Sequence, residues 1–123
     1  DLLWFAIDTM AMGDHNACEF AQAVHLEVLK SEDCAREAEL LQLGRPPPRG
    51  DLVEGVVIDD QAIVAITPTR QPRAGEAAAE ARGCFQKTLA AYDDGCLQDV
   101  QKKRRIDVPE AVVWSLRLSR GSQ

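Results

Sequence analysis

The stretch from residue 52 to residue 67 leaves this chain the fewest choices. Leu52-Val53-Glu54-Gly55-Val56-Val57-Ile58 and Gln61-Ala62-Ile63-Val64-Ala65-Ile66-Thr67 are rich in β-branched and apolar residues, and only Asp59-Asp60 separates them. Two strand-forming runs joined by so short a link fold back on each other as a β-hairpin. Asp-Asp is unusual in a two-residue turn, where Asn-Gly is commoner. Adjacent anions repel, and apolar strands on either side add a desolvation penalty. A hard divalent ion, Mg2+ or Mn2+, relieves both, since carboxylate oxygens suit such ions and leave room for water and substrate phosphates. The same pair also fits a plain solvated turn, and the residue types alone leave both readings open.

The flanking segments supply the rest of a small domain. Leu2-Leu3-Trp4-Phe5-Ala6-Ile7 reads as a buried strand. Gly13-Asp14-His15-Asn16 is turn chemistry, with Asp14 or Asn16 placed to cap the next helix. In that helix Ala17, Phe20, Ala21, Val24, Val28 and Leu29 recur at three- and four-residue steps and predict its buried face. Ser31-Glu32-Asp33 interrupts it before a second helical stretch to Leu43. Arg45-Pro46-Pro47-Pro48-Arg49 is extended, as a stiff connector or a ligand for an aromatic groove. Beyond the hairpin, residues 76–92 are Ala-rich and helical, with Ala77, Ala81, Phe85 and Leu89 inward and Gly95 as a left-handed cap. Residues 112–118 form a last strand. The order is β-α-β-β-α-β, so the expected fold is α+β and ferredoxin-like, with an antiparallel sheet and two main helices.

Bulk properties narrow the function classes. The 123 residues suffice for one domain with its own core, and the chain opens on Asp1, which points to a piece of something longer. No run approaches the roughly 20 apolar residues of a membrane span, and no secretory leader is recognisable, so the expected location is intracellular, cytoplasmic or nuclear. Cys18, Cys34, Cys84 and Cys96 form no C-x-x-C pair and read as reduced, partly buried thiols. A net charge of −6 argues against a stand-alone nucleic-acid binder, although a metal-holding polymerase centre is itself acidic. His15 and His25 have no nucleophile at suggestive spacing and read as solvated or packed side chains.

Val57-Ile58-Asp59-Asp60 resembles the aromatic-x-Asp-Asp signature that reverse transcriptases carry on the hairpin of their palm. Met12-Gly13-Asp14-His15-Asn16-Ala17, followed by Gln22, is similar to the family's Pro-x-Gly-x-x-Asn-Ala-Pro segment and its later Gln. Gly95 with Lys102 or Lys103 looks like the family's Gly-Leu…Lys segment, and Val113-Trp114-Ser115-Leu116 like its primer-gripping strand. The resemblance runs in order from about Met10 to Leu118 and is closest to palms of the retrotransposon type.

The resemblance implies a single partial palm over residues 1–123, from a parent performing RNA-directed DNA synthesis by two-metal nucleotidyl transfer. It implies Asp59 and Asp60 as catalytic Mg2+ or Mn2+ ligands. Gly13, Asn16, Gln22, Lys102 and Lys103 would meet the template-primer and the deoxynucleoside triphosphate. Departures are plain: Val57 stands for an aromatic, Gln61 for an apolar residue, Ala11 and Cys18 for two prolines, and Ser115 for glycine. The family's other metal-binding carboxylate lies on an earlier strand, and Asp8, its nearest substitute, sits too close to Gly13 for the usual arrangement. The expectation is therefore a truncated, degenerate palm with little or no activity, open to self-association through exposed sheet edges. The alternative is a non-catalytic α+β interaction module.

Overall fold

The computed structural model describes residues 13, 15–67, 70, 75–95, 97, 101, 104–106, 108, 111–114 and 116–118. The expected strand at residues 2–7, Asp8, Asp14, Lys102 and Lys103 lie outside the described residues. Element order is α1 (Ala17–Ser31), β1 (Leu52–Val57), β2 (Asp60–Ala65), α2 (Glu76–Asp94), β3 (Ala111–Val113) and β4 (Leu116–Leu118).

Helix α1 starts after Gly13, whose φ of 94° is the left-handed conformation glycine allows, and Asn16 holds the N-cap position without a side-chain capping bond. Glu19 in the first turn and Lys30 in the last complement the helix dipole. The helix stops because Asp33 and Ala35 adopt positive φ (57° and 52°), while Cys34 N–H folds back to Leu29 O at 2.9 Å. A second helix reaching Leu43 does not follow. Residues 36–40 only turn, and Leu40 forms a parallel bridge to Glu54 instead. The bridge is made by Glu54 N–H to Glu39 O (2.8 Å) and Leu41 N–H to Glu54 O (2.7 Å).

The buried face of α1 differs from the one its apolar spacing predicts. His25 and Leu29 are buried, whereas Phe20 is 60% and Val24 52% exposed. The stripe is rotated because polar Gln22 and His25 turn inward to bond the hairpin backbone. Helix α2 is offset too: Ala78, Cys84, Thr88 and Ala91 are buried, while Ala77, Ala81, Phe85 and Leu89 are half-buried beside them. Gly95 ends α2 with φ of −80°, so it is no left-handed cap. Its smallness serves packing, since an added Cβ would stand 3.0 Å from both Val28 methyl carbons.

Strands β1 and β2 pair antiparallel from Leu52↔Ala65 to Val57↔Asp60. Both helices pack on this hairpin and on each other. The core consists of Leu29, Cys34, Ala35, Leu40, Val56 and Cys84, with Leu26, Ile63 and Tyr92 packed against it. Arg36 ties the 36–40 turn to α2 through Glu80 (2.6 Å) and also pairs with Glu39 (2.8 Å).

The molecule is thus a small α+β unit with two helices on an antiparallel two-stranded sheet. The last expected strand is instead a short hairpin: β3 and β4 pair only with each other, from Ala111↔Leu118 to Val113↔Leu116. A single ferredoxin-like sheet is not assembled among the described residues. The hydrophobic run at 112–118 hides this break, because Trp114 turns the chain at a φ of 50° that a bulky residue rarely adopts.

Candidate functional site

Asp59 and Asp60 stand at the tip of the β1–β2 hairpin, but the two-residue link is Ile58-Asp59. Asp60 already belongs to β2 and closes the ladder opposite Val57. The shift follows from side-chain alternation, which sends Leu52, Glu54 and Val56 to the buried side and fixes the register. Ile58 then takes the first loop position with φ of 53°, where glycine normally stands. Both aspartates are solvent-exposed, so water removes the desolvation penalty the apolar flanks suggested.

The outer edge of β1 is bonded at Glu54 and again from Val56 O to the turn. Near the base, Glu54 bonds residues 39 and 41 through its backbone. Toward the tip, the Gln22 side-chain amide donates to Val56 O (2.8 Å) and accepts from Ile58 N–H. His25 Nδ1 meets Ile58 O at 2.9 Å, and its Nε2 meets Tyr92 Oη at 2.7 Å. One helix therefore holds the turn by its backbone, and α2 supports that contact through Tyr92.

Beneath the hairpin lies a polar cluster. Glu54 is fully buried, and its carboxylate accepts from Ala35 N–H (2.9 Å), Cys84 Sγ (3.0 Å) and Gln61 Nε2 (3.4 Å). Burial, reinforced by Glu54 and by the Cys34 thiol, pushes the Cys84 thiol well above its ordinary range. Thr88 Oγ1 lies 3.8 Å from Cys34 Sγ. This set fixes the 34–41 segment to the sheet. A high thiol pKa suits an inert structural cysteine rather than a nucleophile.

The remaining expected residues are spread out. Gly13 is exposed, and nothing lies within 4 Å of the Cβ it lacks. Asn16 is exposed at the start of α1, about 9 Å of helix rise from Gln22. Gln22 reaches the hairpin. Spacing did not reveal His25, Tyr92 or Glu54 as parts of this arrangement. Glu54 carried a signal, being a lone acid between Leu52 and Val56 on the inward side of a strand.

A hard divalent ion finds two adjacent exposed carboxylates at the tip, a donor type that suits it. Among the described residues, no three His, Cys, Asp or Glu side chains come together as a metal-holding group. The donor set is incomplete there, and we derive no chemical step through an ion. No helix of the described residues is long and apolar enough to cross a membrane.

Comparison with family models, with curated proteins and with solved structures finds no counterpart in any of the three.

Proposed function

We propose that the chain is a palm-like portion of a reverse-transcriptase-like polymerase, with little or no activity of its own. The observation carrying this reading is the Asp59-Asp60 pair on an exposed hairpin tip, whose turn is held by α1, the helix that Gly13 and Asn16 precede. Asp59 is the primary ligand for Mg2+ or Mn2+, and Asp60 assists. In a complete site their role is to fix an ion between a primer hydroxyl and the phosphates of a deoxynucleoside triphosphate. Gly13 and Asn16 lie on the nucleotide and template side, with Lys102 and Lys103 neutralising phosphate charge. The finer fold of this reading is the ferredoxin-like β-α-β-β-α-β order, in which residues 2–7 supply the first strand.

Calorimetric titration with Mn2+ tests the reading, using the intact chain beside Asp59→Ala. Saturable binding that disappears in the variant supports it. Equal heats in both proteins, or none in either, sink it.

A second reading, a non-catalytic interaction module, draws on a different observation. Phe20 and Val24 expose apolar surface on one side of α1, an arrangement compatible with a protein partner.

A further inference from the structure

We infer that Gln22, His25 and Tyr92 form a latch that fixes the Ile58-Asp59 turn and thereby aims the carboxylates of the hairpin tip. They are positioning residues. The latch stands on geometry alone, while its bearing on metal binding rests on the polymerase reading above.

Val57 pairs with Asp60 across the hairpin, so Val56 O and Ile58 N–H point away from β2. A neighbouring parallel strand would satisfy such a pair with one residue, its N–H donating to the first carbonyl and its C=O accepting from the N–H two residues further on. The Gln22 side-chain amide does the same with its nitrogen and oxygen. It takes the place of one residue of a missing strand.

His25 completes the edge. A carbonyl only accepts, so the contact from Nδ1 to Ile58 O requires the proton on Nδ1. In the neutral ring Nε2 is then an acceptor, and Tyr92 O–H donates to it at 2.7 Å. The Tyr92 hydroxyl has one proton, and Gln61 Oε1 lies farther away at 3.4 Å. Ile58 O thus selects the tautomer, and the Tyr92 hydroxyl, able to donate or accept, supports it by donating to Nε2.

The anchors are firm. His25 is only 5% exposed, and Leu29, one turn later on α1, is fully buried. The turn they hold is one that Ile58 would not choose, since a β-branched side chain disfavours a φ of 53°. Three backbone groups of the tip are bonded by side chains from α1, and the strained residue lies among them.

Two variants of the intact chain test this. In metal-free protein, Gln22→Met is expected to speed amide exchange at Ile58 at least tenfold. Amides of α2 and of Glu54, whose N–H bonds Glu39 O, should keep their rates. Tyr92→Phe, a milder change, is expected to keep the Nδ1–H tautomer that Ile58 O requires and to move the His25 Nε2 15N resonance downfield as its hydrogen-bond donor is lost. Unchanged exchange at Ile58 in a folded Gln22→Met, an Nε2–H tautomer in the wild type, or an unmoved Nε2 resonance in Tyr92→Phe overturns the latch. If Gln22→Met does not fold, the tautomer result decides. Mn2+ titration separates the two ideas. A wild-type chain that binds no Mn2+ defeats the polymerase reading and leaves the latch to the exchange and tautomer results. Wild-type binding is expected to weaken at least fivefold in Gln22→Met. Equal binding by the two proteins would defeat the aiming role.

Discussion

Gly55 lies directly against the indole of Trp114: a Cβ added to Gly55 would stand 2.4 Å from Trp114 Cη2. No real carbon pair tolerates that distance, so the glycine is required by its neighbour rather than by its own backbone angles. The contact joins the β3–β4 turn to the open side of β1, the side away from the core. Gly55→Ala is expected to displace the indole and destabilise the fold by about 1–3 kcal/mol, the usual range for overpacking. Urea unfolding measures the loss, and the Trp114 indole N–H resonance reports the displacement. A stable variant with an unmoved resonance would contradict the contact.

Glu54→Leu isolates the buried carboxylate. The change keeps side-chain bulk but leaves the Ala35 amide without its acceptor in a fully buried place. The expected loss is about 1–3 kcal/mol, the penalty for an orphaned buried donor. A lower urea midpoint with an unchanged slope is the expected readout.

Ile58→Asn examines the turn. Asparagine accepts left-handed φ more readily than a β-branched residue, for which the conformation is disfavoured by about 1–2 kcal/mol. Ile58 is 38% exposed, so some apolar contact is lost in exchange. The net expectation is a gain of about 0.5–1 kcal/mol, part of the strain relief remaining after that loss. A thermal melt that falls instead of rising would show that the side chain matters more than the backbone.

The Cys84 thiol gives a pH dependence with a definite sign. Its folded pKa is raised by burial first and by the Glu54 hydrogen bond second. The stability linked to the protonated thiol is therefore complete below its unfolded value of about 9.0. Above that pH the unfolded chain releases a proton that the folded chain keeps. Stability then declines with pH, by at most about 1.4 kcal/mol per unit for one proton. Subtracting the profile of Cys84→Ala isolates this part, and the two profiles should diverge only on the alkaline side.

The hairpin was legible because two β-rich runs with a two-residue link allow little else, and its acidic tip was legible with it. The loop position was off by one residue, since alternation of Leu52, Glu54 and Val56 decides the register and sends the acid Glu54 inward with its apolar neighbours. The same kind of partner rotated α1. Apolar spacing favoured Phe20 and Val24, but Gln22 and His25 face inward because unpaired strand amides need them. Polar side chains that serve a backbone edge leave no periodic signal. The break between β3 and β4 was hidden for a related reason, as Trp114 adopts a turn conformation its residue type opposes. The ligand set at the tip was read from a resemblance, and the described residues supply only its two adjacent carboxylates.

The most direct measurement is a residue-resolved map of Mn2+ by paramagnetic line broadening of backbone amides. A palm-type tip predicts broadening centred on Ile58, Asp59, Asp60 and Gln61 at low Mn2+, and its loss in Asp59→Ala. Broadening spread evenly over the other exposed acids, such as Asp33, Glu37, Asp93 and Asp94, would contradict a metal-directed role for the hairpin.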